Sequence, residues 1–204
     1  SWNETLLYEI GCALARECRA RDVDVLLGPG VNIRRSPRAG RSFEYYSEDP
    51  VLSADMAAAM IRGLQDNGVA ASLKHFACNN SETERITMDS VVEERALREV
   101  YLAVFERVIA RSNPWTVMTA YNRLNGIHAS ENTHLLTDIL RDDWGYDGAV
   151  MSDWHAIGSR PNALKAGFDL DMPLSRARKA SLRQAMTSHD IAPEVLDRAC
   201  LRLL

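Results

Sequence analysis

The chain reads as an α/β fold with a parallel sheet, and more narrowly as part of a TIM-like (β/α)8 barrel containing five to six βα units. Three observations carry that expectation. Short apolar, β-rich runs alternate with amphipathic stretches of helical period. Glycines stand between several helical stretches and the runs that follow, where a left-handed C′ residue is needed. The residues with reactive side chains come directly after the runs. An open doubly wound sheet gathers such residues mainly at its switch point, whereas a barrel collects them from several strand ends over one pocket. The barrel is the better fit.

The elements follow in order. Ser1-Trp2-Asn3-Glu4 has capping-box spacing, and Leu6, Leu7, Ile10 and Leu14 continue it at helical intervals, so the chain opens on a helix. A first strand is predicted over Val23 to Leu27, with Asn32 and Arg34 after it. A helix over 51–66 ends before Gly68 and leads into a strand from Ala70 to Leu73, closed by Lys74 and His75. A helix over 92–112 precedes the run Thr116 to Ala120, which Tyr121 and Asn122 close. A helix over 132–144 reaches Gly145 before the strand Gly148 to Met151, which runs into Ser152 and Asp153. A helix over 157–166 and Gly167 lead to a fifth strand, Phe168 to Met172, containing Asp171. Right-handed crossovers join such units into neighbouring parallel strands. A complete barrel needs eight strands and about 250 residues, so three strands are missing or unread. With no Met or signal peptide before Ser1, the chain is expected to be a piece of a longer one.

Composition narrows the function classes. Of 204 residues, 24 are basic and 28 acidic, giving a net charge of −4, and 46% are hydrophobic, the profile of one globular domain. No basic run supplies a phosphate-neutralising patch, so nucleic acid is not an expected partner. The apolar runs fall far short of the ~20 residues of a membrane helix, so no membrane span is expected. Cys12, Cys18, Cys78 and Cys200 fit neither a CxxC pair nor a zinc knuckle and read as reduced, mostly packed thiols. His128, His134, His155 and His189 show no metal-ligand spacing and read as structural. No metal or cofactor is expected.

Four segments could carry chemistry. Gly28-Pro29-Gly30 lacks both GxGxxG and GK[ST] patterns and reads as a turn. The long loop from Val31 to Pro50 carries Arg34, Arg35, Arg38, Arg41 and Glu44, either as a solvated surface or as a binding loop in which Arg41 offers its fork of donors. Lys74 and His75 stand side by side at a strand end, as a structural ion pair, as donors to a polar ligand, or with Lys74 as a Schiff-base amine. In Val150-Met151-Ser152-Asp153-Trp154, an apolar strand runs straight into a carboxylate and a large aromatic. Asp153 could cap a helix starting near Ala156, or act as a nucleophile or base with a stacking platform beside it.

Taken together, Gly40-Arg41-Ser42-Phe43-Glu44-Tyr45-Tyr46-Ser47-Glu48-Asp49-Pro50, Lys74-His75-Phe76, Val117-Met118-Thr119-Ala120-Tyr121-Asn122 and Met151-Ser152-Asp153-Trp154 resemble glycoside hydrolase family 3 in order and spacing. The likeness runs from about Val25 to Pro173 and is nearer the β-glucosidase branch, because the His-containing acid/base loop of the hexosaminidase branch is not seen. It implies a retaining, exo-acting glycosidase acting on a small β-glucoside or oligosaccharide through a glycosyl-aspartate intermediate. Asp153 matches the nucleophile. Arg41, Lys74, His75 and Arg85 match donors to sugar hydroxyls, Met118 and Tyr121 the pocket wall, and Trp154 a platform at the subsite edge.

The same resemblance implies what lies elsewhere. Residues 1–204 form a single partial barrel, and an upstream Asp-Gly-Pro segment on an early strand is expected outside it, as is a downstream α/β domain bearing the acid/base glutamate. Glu82 and Glu84 do not fit that role and read as loop charges. Those further segments of the same parent would complete the site. Two other classes stay open: a non-catalytic sugar-binding or scaffold fragment, and a Schiff-base lyase using Lys74. Glycone identity and compartment are not read from these residues.

Overall fold

A computed structural model describes residues 2–204. Its centre is a parallel four-stranded sheet in the order β1-β2-β4-β7, formed by β1 (Val25–Leu26), β2 (Ala70–Phe76), β4 (Thr116–Thr119) and β7 (Ala149–Ser152). Around it lie α1 (Glu4–Arg19), α2 (Pro50–Gln65), α3 (Glu94–Ala96) and α4 (Ala103–Ser112), with α5 (Arg160–Lys165), α6 (Arg176–Thr187) and α7 (Pro193–Leu201) following the last strand. Each successive strand joins the sheet edge beside its predecessor, the winding of a barrel wall. The fold is the expected partial α/β barrel.

Register shows which face looks where. Leu73, Val117 and Val150 lie in one row, and Lys74, Met118 and Met151 in the next. The first row belongs to the main hydrophobic core under the helices, with Phe105, Leu136 and Ile139. Successive residues alternate faces, so the second row points to the barrel interior. Helices α1 and α2 meet backbone to backbone at Gly11 and Gly63, where an added Cβ would run into Met60 and Tyr8 carbonyl oxygens.

Several boundaries differ from the sequence expectation for identifiable reasons. The first strand is shorter than Val23 to Leu27, because the chain turns at Gly28-Pro29 before pairing resumes at Gly30, bridged to Lys74 by the Lys74 N–H donating to the Pro29 carbonyl at 3.1 Å and the Val31 N–H donating to the Lys74 carbonyl at 2.8 Å. The second strand is longer, since its β4 flank is paired as far as Phe76. The helix expected over 92–112 starts at Glu94, because Val92 exchanges hydrogen bonds with the Asn125 amide, and its middle, Leu97–Leu102, is π-helical. The one expected over 132–144 is π-helical from His134 to Asp143. The 157–166 helix starts only at Arg160, capped by Ser159, with Pro161 in its first turn. Helix α1 is capped by Asn3, whose Oδ1 accepts from Leu6 N–H at 3.1 Å; Ser1 of the capping box lies outside the described residues.

The fifth predicted strand, Phe168 to Met172, is not a strand. It makes a single bridge between Leu170 and Met151, because the Val150 N–H is taken at 2.8 Å by the Asp169 carboxylate instead of a ladder carbonyl. That carboxylate is the clasp of this edge. It also accepts from Arg141 and Arg202, each at 2.9 Å, while Arg141 reaches the carbonyls of Tyr146 and Gly148. Sequence reading also missed a small sheet ordered β3-β5-β6 (Asp89–Ser90, Arg123–Leu124, Ile127–His128), whose two-residue strands carry no periodicity. It missed α6 and α7 because each buries a single residue, Ala185 and Ala199, which join Leu164 and the intervening Ile191 in a satellite cluster. All four cysteines are free; Cys18 and Cys78 are buried and Cys200 is exposed. No helix among the described residues is long and apolar enough to cross a membrane.

Two substitutions test this account. Asp169→Ala strands the buried Arg141 guanidinium and should cost about 3 kcal/mol or more in urea unfolding. Gly63→Ala should cost about 1–3 kcal/mol, since two backbones must separate to admit a methyl group. A loss below about 1 kcal/mol at Asp169 would contradict the clasp.

Candidate active site

Asp153 follows the end of β7, and its N–H still bonds to the Thr119 carbonyl at 3.3 Å, which keeps it on the interior face two residues above Met151. It is only 8% exposed. Oδ1 accepts from the Trp154 N–H at 2.7 Å, and Oδ2 lies 3.5 Å from His75 Nε2 and 3.6 Å from Arg41 Nη1. The carboxylate therefore faces a group of donors and does not cap α5, which Ser159 caps.

The donors come from neighbouring strand ends. Lys74 and His75 close β2, where an irregular register between Lys74 and Phe76 breaks the alternation that would otherwise send them to opposite faces. Both enter the site. Lys74 Nζ pairs with Glu44 Oε2 at 3.2 Å, an engaged donor and not a free amine, which weighs against a Schiff-base role. His75 is 1% exposed and its backbone is clamped by Asn32, which accepts from its N–H and donates to its carbonyl, both at 2.9 Å. Burial, reinforced by the charges of Arg41, Lys74 and Arg85, holds the imidazole well below its ordinary pKa of 6.5. At neutral pH it carries one ring proton.

Arg41 comes from the loop after β1. Its guanidinium bonds to the Glu44 carboxylate and stands 3.9 Å from Glu82 Oε1. Burial opposes charge at Glu44, but the hydrogen bond from Arg41 and the charge of Lys74 hold its carboxyl below the ordinary value. Arg85 pairs with Glu82 Oε2 at 3.0 Å, and its guanidinium carbon sits 4.4 Å above the Tyr121 ring. Tyr121 is buried beside Asp153; burial first, then the Asp153 charge, pushes its phenol pKa upward. Met118 lies in the row below Asp153, a buried floor under the site more than a wall beside it. Trp154 is 39% exposed at the rim.

Arg41, Lys74, His75, Arg85, Tyr121 and Asp153 are thus brought into one neighbourhood, with Met118 beneath and Trp154 at the edge. Sequence reading missed the partners that hold them. Glu44 was one charge among many in a loop, and Glu82, read as a loop charge, is turned inward between Arg41 and Arg85. Tyr45 and Asn79 are buried behind His75, with the Tyr45 hydroxyl 3.0 Å from His75 Nδ1. Only a partner of known position could have marked them, since neither type is distinctive in a loop.

The buried imidazole has a measurable consequence. As pH falls through about 6.5 the unfolded chain takes up a proton that folded His75 refuses, so the native state loses stability with falling pH. His75→Gln should flatten that decline by about 1 kcal/mol per pH unit below 6.5, read from urea unfolding across a pH series. An unchanged slope would contradict the assignment.

Comparison with known proteins agrees with this architecture. The model of the glycosyl hydrolase family 3 N terminal domain matches residues 1–204. Thermostable beta-glucosidase B of Acetivibrio thermocellus is 49% identical over 205 residues, covering 100% of this chain and 27% of that protein. An exo-alpha-(1->6)-L-arabinopyranosidase of Bifidobacterium longum is also 49% identical, over 198 residues, 97% of this chain and 26% of its own length. Beta-glucosidase 3B of Thermotoga neapolitana, solved in complex with glucose, superposes with a TM-score of 0.95 at 48% identity over 97% of this chain and 29% of that one. The chain therefore spans about a quarter of the length of these relatives. With the whole of its length matched and its strand ends arranged as described, the chain belongs to glycosyl hydrolase family 3, as its N-terminal domain.

Proposed function

We propose that this chain is the nucleophile-bearing barrel portion of a retaining, exo-acting β-glucosidase-like enzyme, with Asp153 as the nucleophile. The observation that carries the reading is the setting of Asp153: a nearly buried carboxylate at a strand end, faced by His75 and Arg41, with Tyr121 alongside. A neutral sugar offers hydroxyls and an acetal carbon. Fixed cationic and imidazole donors hold the hydroxyls, while the carboxylate stabilises the oxocarbenium-like transition state and then bonds to the anomeric carbon. Water releases the sugar in a second displacement. Lys74, Arg41 and His75 serve as the glycone donors, Arg85 with Tyr121 and Trp154 bound the entrance, and Met118 closes the floor.

Retention requires a second carboxyl about 5–5.5 Å from the first, able to give and take a proton. Glu44 is unsuited, since Arg41 and Lys74 favour its ionised form, and Glu82 is engaged by Arg85 and Asn79. The family resemblance implies that the acid/base group, like the grip on the far sugar hydroxyls, comes from a further segment of the same parent protein. Glucose is the reference glycone because relatives named beta-glucosidases match along the whole chain. The equal identity to an L-arabinopyranosidase makes arabinopyranose the first alternative to assay.

The test is covalent trapping in the full-length protein that carries this chain. A 2-fluoro β-glucoside should label one peptide, the one containing Asp153, and Asp153→Asn should abolish labelling and lower kcat/KM by about 10⁴-fold or more. Labelling of a peptide lacking Asp153 would overturn the nucleophile assignment. Calorimetric glucose binding with no turnover by any aryl glycoside would instead favour a sugar-binding role.

A further inference from the structure

We propose that Tyr45 is a positioning residue that holds the ring proton of His75 on Nε2, so that the imidazole meets Asp153 and the bound ligand as a hydrogen-bond donor. A neutral imidazole carries one N–H, and which nitrogen bears it is decided by what the other nitrogen meets. Here both ends of a continuous chain of contacts give the same answer.

The chain begins at Glu82, an acceptor-only carboxylate. Its Oε1 accepts from Asn79 Nδ2 at 3.1 Å, and the same amide nitrogen donates to the Tyr45 hydroxyl oxygen at 3.2 Å. Turning the Asn79 amide over would set its oxygen against the Glu82 carboxylate and the phenol oxygen, so Glu82 fixes the amide's direction. The Tyr45 oxygen is then already accepting, and its own proton is free for His75 Nδ1, 3.0 Å away. That leaves the ring N–H on Nε2. From the other end, Nε2 faces Asp153 Oδ2 at 3.5 Å, where a bare lone pair would oppose a carboxylate. The reverse tautomer would give the Tyr45 oxygen two donors, leave its proton without a partner, and set two acceptors face to face.

The surroundings keep the relay in place. Asn32 grips the His75 backbone on both sides. Gly30 leaves room for the phenol ring: a Cβ there would come within 2.8 Å of Tyr45 Cε1. The two rings meet edge to face with centroids 6.1 Å apart. Burial pushes the Tyr45 phenol pKa far upward, so it keeps the proton it donates.

The role in catalysis rests on the glycosidase reading; the tautomer does not, and the two are tested separately. Neutron diffraction from crystals of the perdeuterated full-length protein without substrate should show deuterium on His75 Nε2 and the Tyr45 hydroxyl deuterium directed at Nδ1. Deuterium on Nδ1, alone or together with Nε2, would overturn the proposal. In the same protein, Tyr45→Phe should lower kcat/KM about 10-fold while Asp153 remains the labelled residue. Asn79→Asp, which offers Tyr45 an acceptor and so drives the proton toward Nδ1, should do more harm than Asn79→Ala. Unchanged kcat/KM in Tyr45→Phe, or an Asn79→Asp variant no worse than Asn79→Ala, would overturn the positioning role in catalysis, and the neutron map alone decides the tautomer. If Tyr45→Phe fails to fold, the wild-type neutron map decides.

Discussion

Three cations and three carboxylates share a poorly hydrated space at the strand ends, and the site can exist only because they compensate one another. Arg41, Lys74 and Arg85 are set among Glu44, Glu82 and Asp153, so that no charge is buried without a counter-charge close by. Withdrawing Glu44 would leave Lys74, whose side chain is 14% exposed, without the carboxylate it pairs with, where an unpaired buried charge costs several kcal/mol. Lys74 and Arg85 are paired with Glu44 and Glu82, and His75 and Arg41 approach Asp153 at 3.5 and 3.6 Å. A carboxylate so placed is stabilised without being consumed in a tight ion pair.

The scaffold supports that balance from beneath and from the side. Met118 and Met151 in the interior row give the site an apolar floor, and the opposite row locks the strands to the helices. At the outer edge of β7, Asp169 substitutes a side-chain acceptor for a strand and gathers Arg141, Arg202 and the chain beyond Gly167 around it. On the loop that follows Asp153, Glu131 accepts from the N–H groups of Gly158 and Ser159 at 3.0 and 2.7 Å, which ties down the turn carrying Trp154 and His155.

Much of this was legible along the chain. Apolar runs beginning at Val23, Ala70, Thr116 and Gly148 and followed by polar residues marked the four central strands, since parallel strands buried on both faces need largely apolar stretches. The run at Phe168 misled because its alternation resembles a strand, whereas Asp169 spends its side chain on Val150 and ends the ladder. Helices α6 and α7 were invisible because they cover little core, and periodicity is a record of burial.

The site divides along the same line. Order and spacing of the Arg41, Lys74-His75, Tyr121 and Asp153-Trp154 segments determined the family and which side chains converge, because in a barrel whatever follows a strand arrives at one face. Folding alone decided how they are held. Glu44, Glu82, Asn79 and Tyr45 lie in loops whose side-chain directions follow no period, and their partners are 30 or more residues away in several cases, such as Tyr45 and His75. Charge compensation and proton placement depend on distances between such groups, and distance across a fold is a quantity that a linear sequence does not contain.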